Sequence, residues 1–348
     1  MKALTSIAGA LLVLSSCQNP VPPKQTNHEP TQAEGADTLR LAFDWRPNAL
    51  HSGILLAQKR GWYDSANLVL DWFTPEVDQY QKKPIWRLQD DEVDLAIGPT
   101  EHIFRYGAAT DTTPAKAVQA IATILQDDLS AFVTKPGSGL DRPRKLDGAH
   151  YGGYHTPLEQ AILRDMIRNN GGKGQFQMST PPRLSVWEAF KRDSVALCWV
   201  FLHWEATQWE LAHDTALNSF IPNDYGVPYG YSSVLFAPAT PTARQESLYR
   251  RFLAATARGY QAVAAQPLKA ARELRGFISH PNYQDSTLLR ASFQKVAPAL
   301  LREGQWGRQA TAKYRRYLRW VKGQNLWKSS QALRSEDVFT NRYFAPQP

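Results

Sequence analysis

Cysteine is almost missing from this chain: Cys17 and Cys198 are the only two in 348 residues. A Cys-x-x-Cys metal site is thereby excluded, and no metal site is expected. Nor is a structural disulfide expected, because Cys17 has another use and Cys198 is then left unpaired. Long apolar runs are also scarce. Past the first twenty residues none approaches the ~18–20 residues that span a bilayer, so the body reads as soluble. No internal repeat is visible. Basic charge is in excess, at +8 with a pI near 9.4, but it is spread out, with only a mild concentration near Arg308–Lys328. Diffuse charge of this kind offers no track for nucleic acid, which is excluded as a partner.

What is present is a chain 43% hydrophobic with 11 Trp, 14 Tyr and 14 Phe. That supplies a sizeable core and excludes disorder beyond the termini. The first residues stand apart. Lys2 gives a positive start, Ala3 to Leu14 an apolar stretch, and Leu14-Ser15-Ser16-Cys17 follows at once. The stretch is too short to span and ends in small residues, as a signal peptide does. Leu-Ser-Ser-Cys resembles the bacterial lipobox, in which the Cys is acylated and the chain is cut before it. Residues 1–17 are therefore expected to be a lipoprotein signal, with acylated Cys17 as a durable membrane anchor. Residues 18–37 hold one Val as their only large aliphatic and read as a flexible tether. Anchor, tether and body together predict a location on the periplasmic face of the bacterial cell membrane.

The body alternates strands and helices. Thr38–Phe43 has the period of a strand, His51–Arg60 that of a helix closed by Gly61, and Leu68–Phe73 that of a second strand. Strand, helix, strand in that order is a βαβ unit and predicts a parallel sheet. Val93–Ile97 is a further strand, and a helix over Thr100–Ala108 follows with Thr100 as its N-cap. Strands at Ala117–Leu125, Ser130–Thr134 and Ala149–Gly153 lead to Thr156-Pro157-Leu158-Glu159, a capping box that opens a helix to about Asn170. A strand at Ser194–Phe201, a helix at Trp204–Ala212 and a returning strand at Ser232–Ala237 precede a helical stretch from Thr242. The expected fold is α/β, two-lobed and periplasmic-binding-protein-like (type II), with a helical C-terminal segment. Residues 38–128 plus 238–348 would form lobe 1, and residues 129–237 lobe 2.

The run Asp44-Trp45-Arg46-Pro47-Asn48-Ala49-Leu50-His51-Ser52-Gly53-Ile54, followed by Ala57-Gln58-Lys59-Arg60-Gly61-Trp62-Tyr63, resembles the opening of one known family. That family comprises the thiamine-pyrimidine precursor-binding proteins and their eukaryotic pyrimidine-synthase relatives. Val93-Asp94-Leu95-Ala96-Ile97-Gly98-Pro99-Thr100-Glu101 is similar to its Asp-(apolar)₃-Gly-Pro-Ser-Glu, and Thr156-Pro157-Leu158-Glu159 to its Ser-Pro-x-Glu. Tyr151-Gly152-Gly153-Tyr154 and Leu253–Tyr260 match in order. The resemblance covers roughly residues 39–345. It implies a substrate-binding protein that delivers formylaminopyrimidine or hydroxymethylpyrimidine compounds to an ABC permease, without a cofactor. Neighbouring families of the same fold carry sulfonates or nitrate, and fold alone does not choose among them. The enzymes of the family use a Schiff-base Lys after the Asp-(apolar)₃ strand and a late Cys cluster. Here those positions read Gly98 and Val227-Pro228-Tyr229-Gly230-Tyr231, so an enzyme is not expected.

A pyrimidine has π faces and a polar rim, so its site calls for aromatic walls and acidic or amide groups at the edge. Trp45 lies at the carboxyl end of a parallel strand, where such ligands bind, and is a stacking candidate. Asp44, Asn48 and His51 beside it are candidates for the ring edge, although Asp and Asn are also ordinary turn formers. Glu101, in the first turn of a helix, is a candidate acceptor for an exocyclic amine. Neighbouring His102 matches, through the resemblance, the His that the synthases consume. Gly153, Tyr154 and Thr156 lie on a loop whose N–H groups suit an anion or carbonyl; Glu159 either enters the cleft or caps its own helix. Of Trp199, Trp204, Tyr229 and Tyr231, Trp199 and Tyr231 are the chosen walls. The partners expected are thus a small pyrimidine ligand, an ABC permease and a membrane. A binding protein for another small solute, such as a sulfonate, nitrate or another heterocycle, is the alternative, and a sensor or adhesive lipoprotein a further one.

Overall fold

The computed structural model describes residues 35–106, 116–154 and 156–345. The signal, Cys17 and nearly all of the tether lie outside these residues, as does His155. The first sheet is built from β1 (Asp37–Ala42), β2 (Leu68–Phe73), β3 (Leu95–Gly98) and β4 (Val118–Thr123). The second takes β5 (Ser130–Thr134), β6 (His150–Gly152), β7 (Gln177–Ser179), β8 (Leu197–Phe201) and β9 (Asn218–Phe220). The chain then returns with β10 (Val234–Pro238) to the first sheet. The strand orders are β2-β1-β3-β10-β4 and β7-β6-β8-β5-β9. In each sheet four strands share one direction, and the strand entering from the other lobe lies antiparallel between the third and fourth in spatial order. The fold is the two-lobed type II architecture.

β10 corrects the expected boundary. Placed in lobe 2 by chain order, it pairs with β3 and β4 in the first sheet. The second crossing therefore falls between Phe220 and Val234. Apolar alternation marks a strand but carries no information on which sheet receives it.

Helices follow the strands closely. α1 (Ser52–Lys59), α2 (Pro84–Gln89) and α3 (Glu101–Tyr106) belong to the first lobe. α4 (Pro157–Asn169), α5 (Val186–Lys191) and α6 (Glu205–His213) belong to the second. The Thr156 hydroxyl accepts the Glu159 N–H at 3.2 Å, so the expected capping box forms. Thr100 does not cap α3 through its hydroxyl, which instead donates to the Tyr231 carbonyl at 2.6 Å. The tail contributes α7 (Ala243–Ala265), α8 (Pro267–Arg275), α9 (Ser286–Leu300) and α10 (Thr311–Gly323). α7 crosses α1 where two glycines meet: a Cβ on Gly259 would lie 1.9 Å from the Gly53 carbonyl oxygen. No larger residue permits that approach.

α10 is not confined to the first lobe, to which the sequence assigned residues 238–348. Its Tyr317 packs edge-on against Phe104, and its Trp320 donates from Nε1 to Asp165 of α4 at 3.0 Å. The core that holds these groups runs continuously through both lobes. The tail thus braces the lobes behind the cleft.

Candidate functional site

Strand ends set the site. The loops after β1, β3 and β6 and the residues of β8 face one another across the lobes. Together they enclose a cavity of about 170 Å³. The expected residues Asp44, Trp45, Glu101, Tyr154, Thr156, Glu159 and Trp199 all line it. Asn48, His51, Gly153 and Tyr231 do not.

Those four have structural duties. Asn48 is fully buried. Its Oδ1 accepts the Leu50 N–H at 2.8 Å and its Nδ2 donates to the Arg46 carbonyl, so it caps the 3₁₀ turn Ala49–His51. His51 stacks on Phe43 with ring centroids 4.2 Å apart. Its Nδ1 accepts the Asn48 N–H, which leaves Nε2 to donate to Asp44 Oδ1 at 3.0 Å. Ser233 donates to the other Asp44 oxygen. Asp44 therefore reaches the cavity wall with both oxygens already engaged. Tyr231 packs on Tyr314, and its hydroxyl accepts the Ala310 N–H at 3.0 Å. It belongs to the brace, and Tyr229 takes the place in the cavity wall that Tyr231 was expected to hold. Trp204 is core.

The loop after β6 is an anion nest already filled by the protein's own carboxylate. Glu159 Oε1 accepts the Tyr154 N–H at 2.7 Å and the Tyr151 hydroxyl at 2.5 Å. Its Oε2 accepts the Thr156 hydroxyl at 3.2 Å. Burial pushes this carboxyl up, against the pull of these donors. Gly153 is required because a Cβ there would lie 2.3 Å from Glu159 Oε1. Its N–H goes to the Ser179 carbonyl, so it is not offered to a ligand.

Three cavity-lining residues carry a buried polar atom without a hydrogen-bond partner among the described residues: Glu101 (Oε2), His102 (Nδ1) and Trp199 (Nε1). Native proteins leave few such atoms. Burial, followed by the charge of Glu159, raises the Glu101 carboxyl to about 7. Burial, with Lys83 and Arg183 nearby, lowers His102 to about 3 and leaves it neutral. Glu205, at another part of the wall, is raised to about 7 by burial.

Aromatic rings form the remaining walls. Trp199 stacks on Phe132 at 4.8 Å and meets Tyr229 edge-on at 5.1 Å. Trp45 touches Tyr80 and Tyr154. Tyr80, Lys83, Arg183 and Glu205 were not anticipated. They lie on irregular loops or at a helix start, where no periodicity tells an inward side chain from a solvated one. Among the described residues no group of three or more His, Cys, Asp or Glu is placed to hold a metal ion. No described helix is long and apolar enough to cross a membrane.

The family model described as NMT1/THI5 like matches residues 48–270. The chain belongs to the NMT1/THI5-like family. A formylaminopyrimidine-binding protein of Halalkalibacterium halodurans is 21% identical over 97% of this chain and 98% of its own length. A 4-amino-5-hydroxymethyl-2-methylpyrimidine phosphate synthase of Legionella pneumophila is 24% identical over 67% of this chain and 71% of its own. The alkanesulfonate-binding protein SsuA of Xanthomonas axonopodis pv. citri superposes with a TM-score of 0.63 at 12% identity, covering 88% of this chain and all of that one. This NMT1/THI5-like chain thus shares its fold with binding proteins whose cargo differs.

Proposed function

We propose that this chain is an extracytoplasmic solute-binding lipoprotein of an ABC importer. In this reading it captures a thiamine pyrimidine precursor, of the formylaminopyrimidine or hydroxymethylpyrimidine type, between its lobes. The observation that carries the reading is Glu101, which lines an aromatic cavity and whose buried Oε2 has no hydrogen-bond partner among the described residues. An aminopyrimidine edge presents an N–H donor beside a ring-nitrogen acceptor. A carboxyl raised to about 7 matches that edge, since one oxygen accepts from the amine while a single proton is shared with the ring nitrogen. Trp199 and Tyr229 supply the π walls, and the Trp199 indole offers a further donor. The formylaminopyrimidine-binding relative, aligned over nearly the whole chain, supports the same cargo. Acylation of Cys17 and a place on the periplasmic face belong to this proposal, as does delivery to a permease.

Titration of the purified protein with formylaminopyrimidine and hydroxymethylpyrimidine tests it, read by tryptophan fluorescence and thermal midpoint. Saturable quenching with a raised midpoint is expected. Absence of both signals with both compounds would leave a binder for another solute, such as a sulfonate, nitrate or another heterocycle.

One observation favours a second reading, a pyrimidine-synthase-like enzyme. Lys83 brings an amine to the cavity wall, lowered to about 8 chiefly by burial. It does not stand where the resemblance puts the Schiff-base Lys. That position is Gly98, where a Cβ would lie 3.0 Å from both His102 Nδ1 and a Phe236 ring carbon. Cys198 is buried in β8, with its thiol pushed up by burial. Borohydride reduction in the presence of pyridoxal phosphate separates the readings: the enzyme predicts a stable mass gain on Lys83, and the binder predicts none.

A further inference from the structure

We propose that the cavity contains an oxyanion subsite formed by Lys83, Arg105 and Arg183, and that the cargo carries a phosphate, carboxylate or sulfonate group beside its flat ring. This deepens the pyrimidine reading and rests on it.

The three cations come from separate elements: the residue before α2, the last turn of α3 and the 3₁₀ turn before α5. All three line the one cavity between the lobes. Most lysines and arginines near them are neutralised. Lys82 reaches both Asp90 and Glu92, and Arg87 reaches Asp78 and Glu92. Lys83, Arg105 and Arg183 have no carboxylate partner among the described residues. Instead each rests on an aromatic ring. The Lys83 ammonium lies 5.3 Å from the Trp86 ring, Arg105 5.1 Å from Tyr106, and Arg183 5.3 Å from Tyr80. Arg183 also donates one N–H to the Tyr154 carbonyl at 2.6 Å. The rest of its five donors remain for a guest.

The carboxylates of the cavity do not balance this charge. Glu159 is consumed by its own loop and Asp44 by His51 and Ser233, Glu205 accepts the Phe201 N–H, and among the described residues neither Glu101 nor Glu205 makes an ion pair with any of the three. Like charges kept together in a partly desolvated space are costly, and proteins rarely keep them unpaired. The mutual repulsion is visible in Lys83, whose ammonium is disfavoured first by burial and then by Arg183 and Arg105. An oxyanion placed among them would make charge-assisted hydrogen bonds to an ammonium and two guanidinium groups, the geometry such groups serve best. Because Arg183 comes from the second lobe and Lys83 and Arg105 from the first, an anion bound there would also hold the lobes shut.

The test is calorimetric titration of the whole protein with hydroxymethylpyrimidine, its phosphate monoester and the matching carboxylic acid. At least one anion is expected to bind tenfold or more tightly than the neutral alcohol. The anion-to-neutral affinity ratio is expected to fall toward one in Lys83→Met and Arg183→Met and to recover in Lys83→Arg. If the alcohol binds and neither anion binds better, the subsite is wrong and the pyrimidine reading survives. A preference that persists in both methionine variants also overturns the subsite. If none of the three compounds binds, the subsite falls, and the pyrimidine reading falls with it only where formylaminopyrimidine also fails to bind.

Discussion

Trp45 of the first lobe meets Tyr154 of the second edge-on, with ring centroids 6.1 Å apart and planes at 90°. Tyr80 tilts against Trp45 at 5.9 Å, and the Arg183 guanidinium lies 5.3 Å from Tyr80 and 5.8 Å from Tyr154. Four side chains from two lobes thus form one cluster across the cleft. Trp45 sits at the end of β1 and Tyr154 at the end of β6, so the contact couples the equivalent loops of the two sheets.

Trp45→Ala removes both the interlobe contact and one wall of the cavity. An aromatic stack contributes about 1–3 kcal/mol per base by alanine substitution, so affinity for the cargo should fall roughly 10- to 100-fold. Trp45→Phe should recover part of that loss. Calorimetry decides it: unchanged affinity in the alanine variant would remove Trp45 from the site.

His51 tests a different role, that of positioning another residue. Its Nε2–H holds Asp44 at 3.0 Å, and its ring stacks on Phe43. His51→Ala leaves a buried carboxylate oxygen without its donor, which costs about 1–3 kcal/mol. The unfolding midpoint in urea should drop with an unchanged slope. Stability equal to wild type would mean that Asp44 finds another donor.

Gly153→Ala probes the filled nest. The new methyl would lie 2.3 Å from Glu159 Oε1 and 2.8 Å from Tyr151 Cε1, so the carboxylate must leave its donors or the loop must move. Overpacking of this kind costs about 1–3 kcal/mol. Because Tyr154 donates its N–H to the nest and also lines the cavity, cargo affinity should fall together with thermal stability. Loss of stability alone would separate the nest from the site.

The local motifs were legible in the sequence, and the choices between faces were not. The Thr156–Glu159 capping box needs only residues three apart, and it forms as read. Asn48 was readable as a turn former for the same reason, and that role prevails. The choice among Trp199, Trp204, Tyr229 and Tyr231 depends on pairing across β5 and β8 and on where α10 docks, contacts between residues far apart in the chain. Trp199 and Phe201, two apart on β8, both face the cavity, whereas Tyr231 is drawn away to Tyr314. Lys83 precedes α2 and Arg183 opens a three-residue 3₁₀ turn, positions where no hydrophobic period exists to reveal an inward charge. The membership of β10 was hidden because chain order says nothing of sheet order.

The protonation of Glu101 yields the sharpest test that needs no cargo. Its carboxyl, ordinarily near 4.5, is raised to about 7 in the folded chain by burial and by Glu159. The native state therefore keeps a proton that the unfolded state has lost. Stability falls with rising pH wherever the native state binds more protons, so this group withdraws stability from about pH 4.5 to about pH 7. Above that range the penalty is complete. Two buried histidines, His102 and His203, act in the opposite direction, since burial lowers both to about 3. The total curve therefore hides the effect, and the difference between two proteins isolates it. Glu101→Gln cannot titrate, so its thermal midpoint relative to wild type should climb between pH 4.5 and 7 and then level off. A difference that stays constant across that range would show that Glu101 is ionised in the folded protein and is not the proton-sharing partner of an aminopyrimidine edge.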